Sequence, residues 1–204
     1  MRFTRGVESR EYVPDVITAV PSPGTRDRLY SFLMLKGEDV VVLLKLIGSG
    51  PDWTVRTLAA ETEIPRSVVH RALQRLKAAG LVDARRRRVN ISQSEEFLVH
   101  AVKYLFPAAL GGESRGIPTA WAAEPLAGKL ASPPSELAPV WPDPGGRRRG
   151  LTLQPLHAAV PAAARRDQAL AERLALVDAL RLGDARVRGL ATELLVERLA
   201  RVVA

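Results

Sequence analysis

Apolar positions fall into several distinct patterns along this chain of 204 residues. From Val40 to Ile47 they run almost unbroken behind Gly37-Glu38-Asp39, with acidic residues where a helix N-terminus favours them, and Gly48-Ser49-Gly50-Pro51 stops the run. Thr54 is placed to cap a short helix carrying Val55, Leu58 and Ala59. Thr62-Glu63-Ile64-Pro65 then reads as a turn, with Pro65 where a following helix would begin. Over 66–79 the apolar residues Val69, Ala72, Leu73 and Leu76 stand at i, i+3, i+4 and i+7, the stripe of an amphipathic helix, and Gly80 is its stop. Two helices joined by so short a turn must pack on each other.

Leu81-Val82-Asp83-Ala84 and Val89-Asn90-Ile91 predict the strands of a hairpin with Arg85-Arg86-Arg87-Arg88 at its tip, Val82 and Ala84 facing Val89 and Ile91. A further helix is expected over 94–106, with an acidic first turn and Phe97, Ala101, Tyr104 and Leu105 on one side, expected to pack in the core. Near the C-terminus, Leu170, Leu174 and Val177 form one stripe, and Val187, Leu190, Ala191, Leu194 and Leu195 another. Gly183-Asp184 lies between them, giving a helical hairpin. Its apolar stripes must bury against the body or against a second subunit.

Between these helical regions lies a different texture. Ten of the fifteen prolines and seven of the fifteen glycines fall in 107–166, so long helices are not expected there. Disordered linkers rarely keep residues such as Trp121 and Trp141, and much of this stretch is expected to be extended or turn-rich structure packed over a helical surface. The chain therefore divides into an N-terminal arm (1–28), a helix-rich domain (29–106), a Pro/Gly-rich connector (107–166) and the C-terminal helical hairpin (167–204), a possible dimerisation element. The fold class is mainly α, with one small β-hairpin.

Charge sharpens this picture. The formal balance is +8, and 54–91 holds nine basic residues against three acidic ones, so six of those charges sit in one short stretch. A basic balance alone fits nucleic acid, an anionic membrane surface or an Arg-rich genome; its concentration on one helix and one hairpin favours a polyanion at that place. On the helix over 66–79, the face opposite the apolar stripe carries Ser67, Arg71 and Gln74, flanked by His70 and Arg75. Arg donates two hydrogen bonds to guanine, Gln pairs with adenine, and Ser reaches phosphate or a base edge. Arg66 and Arg85 to Arg88 are candidates for phosphate contact. Arg147-Arg148-Arg149 has no such frame and reads as an exposed loop.

This order of features resembles the winged helix-turn-helix domain of bacterial transcription regulators in the broad MarR-like group. Three stretches carry the resemblance: Thr54-Val55-Arg56-Thr57-Leu58-Ala59, Ile64-Pro65-Arg66-Ser67-Val68-Val69-His70-Arg71-Ala72-Leu73 and Leu76-Lys77-Ala78-Ala79-Gly80-Leu81-Val82. It covers about 37–91 and implies a recognition helix over 66–79 and a wing over 82–91. Such wings often turn through glycine, whereas this tip is four arginines. The resemblance further implies double-stranded DNA as partner, a homodimer, and a helix after the wing that contributes to dimerisation.

Other classes find little support. Cysteine is absent, so disulfides, thiolate metal sites and Cys nucleophiles are excluded. His70, His100 and His157 are too scattered for a metal site, and no catalytic motif or cofactor fingerprint is found, so no enzyme, metal or cofactor is expected. No membrane span or leader is expected, and the expected location is the cytoplasm. RNA is disfavoured by the lack of an aromatic platform near the basic stretch. The rival reading is a protein-interaction module, an antitoxin or assembly factor, whose connector and hairpin bind a co-encoded partner. The sequence does not name an effector.

Overall fold

The computed structural model describes residues 34–83, 86–130 and 137–203. The expected arm over 1–28 lies outside them. The first helix, α1 (Gly37–Ile47), buries Val40 to Leu44, Leu46 and Ile47, and the next two helices and the helix over 168–182 pack on it. Then come α2 (Val55–Thr62) and α3 (Arg66–Ala78), which pack on α1 and on each other. Two short antiparallel strands, β1 (Val82–Asp83) and β2 (Arg88–Val89), pair Val82 with Val89 and Asp83 with Arg88.

The returning strand ends earlier than its sequence suggests. Ile91 does not face Val82 in a strand; it opens α4 (Ile91–Glu96), because the Asn90 side chain accepts the Gln93 amide and caps a helix there. The helix continues through a π-helical turn, Phe97–Ala101, into α5 (Val102–Leu105).

The Pro/Gly-rich stretch folds into a closed three-stranded barrel of β3 (Leu110–Pro118), β4 (Pro139–Pro142) and β5 (Arg148–Leu153). β3 pairs antiparallel with both others, and β4 runs parallel to β5. Glycine is needed where the strands close: a Cβ on Gly146 would stand 2.4 Å from the backbone of Gly116. Arg148 and Arg149 accordingly lie on a strand and not in a loop, with Arg149 directly opposite Arg115.

Two of the connector's aromatic residues explain its order. Trp141 is 1% exposed and Trp121 6%. The Trp141 indole donates to Asp178 at 2.6 Å, and the Thr119 hydroxyl donates to the same carboxylate oxygen at 2.9 Å. Arg181 donates to the other oxygen at 2.5 Å and to the Phe106 carbonyl at 2.8 Å. Burial pushes the Asp178 carboxyl above its ordinary range, opposed by Arg181, Thr119 and Trp141. One buried acid thus fastens the barrel, and through Arg181 the end of α5, to a single helix.

That helix is α7 (Gln168–Leu182), preceded by α6 (Val160–Arg166) and followed by α8 (Ala185–Val203). The turn between α7 and α8 falls at Gly183-Asp184, as the sequence predicts, with Asp184 accepting the Val187 amide. Val187, Ala191, Leu195 and Leu199 of α8 are buried within the chain itself. The stripes expected to cover either the body or a second subunit therefore cover the body.

Three consecutive residues join these parts. Arg165 pairs with Asp143 beside the barrel, Arg166 with Glu63 in the turn before α3, and Asp167 with Lys45 of α1 at 2.7 Å. Asp167 also caps α7 by accepting the Leu170 amide. The described residues all fall within one compact unit.

Candidate nucleic-acid interface

The geometry of α2, the turn and α3 follows from short-range chemistry. Thr54 accepts the Thr57 amide at 3.0 Å and Thr57 Oγ1 accepts the Thr54 amide at 2.8 Å, a reciprocal cap that fixes the start of α2. Glu63 takes a left-handed conformation, φ 57°, which reverses the chain within three residues before Pro65. α3 then buries Val69, Ala72 and Leu76 fully, which turns Arg66, Ser67, His70, Arg71, Gln74 and Lys77 outward. No acidic residue occurs anywhere on α3. Gln74 Nε2 stands 3.2 Å from His70 Nε2, so these two side chains share one hydrogen bond on the exposed face.

Arg75 departs from this group. Its guanidinium is 3% exposed and donates from Nε and Nη2 to the two oxygens of Asp39, each at 2.6 Å, with Glu38 at 3.1 Å from Nη2. It faces α1 and is removed from the exposed face of α3. The cause is the burial of α1 on all sides: an acid at its N-terminus has no water to turn to and must find a cation within the fold. Burial raises the Asp39 carboxyl, against hydrogen bonds from Arg75 and the Lys36 amide. The presence of Glu38-Asp39 ahead of the apolar run Val40 to Leu44 was the available signal, and it points to an ion pair as much as to a helix dipole.

The arginine run divides in the same way. Arg85 lies outside the described residues. Arg86 and Arg88 are exposed, Arg86 with its amide on Asp83. Arg87 is turned instead to Trp53: its guanidinium sits 4.8 Å from the ring centroid and donates to the Trp53 carbonyl, and the Trp53 indole donates back to the Arg87 carbonyl at 3.2 Å. Arg87 has φ 53°, so it supplies the left-handed residue that the glycine-free tip requires. Arg87 is exposed like its neighbours, and these contacts with Trp53 also shape the wing.

Two residues escaped the sequence reading. Trp53 precedes the Thr54 cap and carries no helix pattern, so only the fold reveals it as the anchor of the wing. Arg56, exposed on α2, shares with Arg66 the walls of a shallow cleft of about 540 Å³ between α2 and the start of α3. Its place in the basic stretch 54–91, two residues after a helix cap, was the hint.

A second, apolar surface lies behind α3. Leu35, Leu81, Phe97, Ala101, Tyr104 and Leu105 line a groove of about 630 Å³, and Tyr104 and Leu105, expected in the core, are instead 75% and 54% exposed. None of the described helices is long and apolar enough to cross a membrane.

The model of the MarR family matches residues 35–89. Searches of curated proteins and of solved structures gave no match. The matched stretch runs from just before α1 to β2, so the family pattern and the observed helices and wing coincide, and this part of the chain is a MarR-like winged helix.

Proposed function

We propose, from the premise that residues 35–89 form a MarR-like winged helix, that the chain is a cytoplasmic, dimeric, sequence-specific DNA-binding transcription regulator. One observation carries this reading: α3 buries its apolar stripe and turns Ser67, His70, Arg71 and Gln74 outward on a face without a single acid. In the major groove, Arg71 and Gln74 are suited to guanine and adenine edges and Ser67 to a phosphate or base edge. Arg66, Arg86 and Arg88, with Arg56, are suited to flanking phosphates.

The exposed groove around Tyr104 and Leu105 supports the dimer, since a water-facing patch of large apolar residues on a folded chain marks an association surface. Selection of bound fragments from genomic DNA tests the whole reading. A palindromic site is expected, with log affinity falling against log salt at a slope of about −5 for three phosphate contacts per subunit. A slope near −1, or no enriched sequence, overturns it. The same groove also favours a second reading, a module for a co-encoded protein; a partner retained at high salt with no DNA shift would establish that instead.

A further inference from the structure

The part of the chain beyond the family match forms a half-open cavity of about 570 Å³ between the barrel, α6 and α7, within the size range of small-molecule sites. Its apolar walls are Ile117 and Pro118 of β3, Ala164 of α6 and Ala171 of α7. Four charged residues complete the lining: Arg147, Arg165, Glu124 and Glu172.

Two of these charges are already compensated. Arg165 is paired with Asp143, and Glu172 accepts from Arg198 at 3.1 Å and from Gln168 at 3.3 Å. Arg147 and Glu124 make no ion pair with any other described residue, and both are exposed at the cavity. What remains is one uncompensated charge of each sign beside an apolar wall. A ligand with only a carboxylate would leave Glu124 unanswered, and one with only an amine would leave Arg147 so.

We propose that this cavity binds a zwitterionic amino acid with an apolar side chain. Its carboxylate is held by Arg147, which can offer two parallel donors, and its ammonium by Glu124. The side chain lies against Ile117, Pro118, Ala164 and Ala171. The site also has a route to the helix-turn-helix. Arg165 lines the cavity, and the next residue, Arg166, holds Glu63 in the turn that aims α3. Occupancy is thereby linked to the turn through the last residues of α6. Neither statement rests on DNA being the partner.

Calorimetric titration of the full chain with L-phenylalanine and L-leucine tests the site. Saturable binding at one site per chain is expected. For phenylalanine, 3-phenylpropanoate and 2-phenylethylamine, which each lack one charge, should bind at least about tenfold more weakly. Arg147→Gln and Glu124→Gln, both exposed and outside every core contact, should each weaken the amino acid similarly. Hydrogen exchange at 61–66 should change when the amino acid is added. No saturable binding of either amino acid, equal binding of a singly charged analogue, or indifference to both substitutions overturns the site. Binding without altered exchange at 61–66 overturns the link to the turn.

Discussion

Arg75 and Asp39 lie thirty-six residues apart and meet through two hydrogen bonds of 2.6 Å with almost no exposure to water. The pair joins α3 to the first turn of α1, so the orientation of the exposed face of α3 depends on it. Removing one member of a buried pair strands the other. Arg75→Ala should therefore destabilise the chain by about 3–5 kcal/mol, read from urea unfolding midpoints. Arg71→Ala, at an exposed position four residues earlier, should fall within about 0.5 kcal/mol of the parent.

On DNA the order should reverse. Arg71→Ala is expected to cost roughly 1–3 kcal/mol on the selected site and to relax preference at one base position. Neutralising Arg86 and Arg88 together should weaken all sequences alike and flatten the salt slope by about 2 per subunit. Fluorescence anisotropy on specific and random duplexes separates the two. Equal losses on both duplexes from Arg71→Ala would refute base reading by α3.

The junction between the winged helix and the C-terminal helices has a pH signature. Burial opposes the charge on Asp167, but hydrogen bonds from Lys45 and the Leu170 amide outweigh it and hold the carboxyl below its ordinary 3.8. Burial likewise opposes the charge on Lys45, and hydrogen bonds to Asp167 and Glu61 hold it above 10.5. The acid has its lower pKa in the folded state, so its contribution is complete above 3.8 and is lost as pH falls through the folded value. The lysine's contribution is complete below 10.5 and is lost as pH rises through its folded value. Asp167→Asn keeps a capping side chain while deleting the charge. It should lower stability by about 1 kcal/mol at neutral pH and remove part of the acid limb, as measured by urea midpoints across the acid range.

Trp141→Phe probes the buried acid of α7. The ring is retained, but Asp178 loses the 2.6 Å donor and keeps Thr119 and Arg181. A loss of about 1–3 kcal/mol is expected, since a buried acceptor left short of a donor bears its desolvation cost. Thermal unfolding followed by circular dichroism would check this, and a loss below about 0.5 kcal/mol would count against the bond's contribution.

The proposed dimer calls for a different substitution. Leu105→Glu, at a position 54% exposed, should leave the unfolding midpoint nearly unchanged while halving the mass seen in sedimentation. Leu195→Ala, in the fully buried stripe of α8, should do the opposite, costing about 2–5 kcal/mol without acting on association directly. Dissociation by the second and not the first would move the interface to α8.

How much of this was legible in the sequence depended on the range of the interactions concerned. The i, i+3, i+4 stripe of α3, the Thr54 cap and the Gly183-Asp184 turn are local, and residues a few positions apart disclose them. The outward positions of Ser67, His70, Arg71 and Gln74 follow from the stripe alone. Arg75 does not, because its burial is decided by Asp39 on another helix. The same holds for Arg87, whose neighbour Trp53 is distant in the chain, and for the barrel, whose short strands are held by pairings such as Arg115 with Arg149. Trp121 and Trp141 marked the connector as ordered, but pairing partners across a Pro/Gly-rich stretch leave no periodic trace.

The run of arginines after α3 looks redundant when written as letters, as if any one could stand in for another. Its backbone says otherwise: one member is tethered by its amide to Asp83, the next adopts a left-handed turn while stacked on an indole, and the third occupies a strand. A lysine scan across Arg86, Arg87 and Arg88 would therefore act as three separate experiments. At Arg86 and Arg88 the replacement conserves what a phosphate needs, whereas at Arg87 it keeps the charge and gives up the planar group that rests on Trp53. The net charge of the segment is the same in every case and carries no trace of that difference.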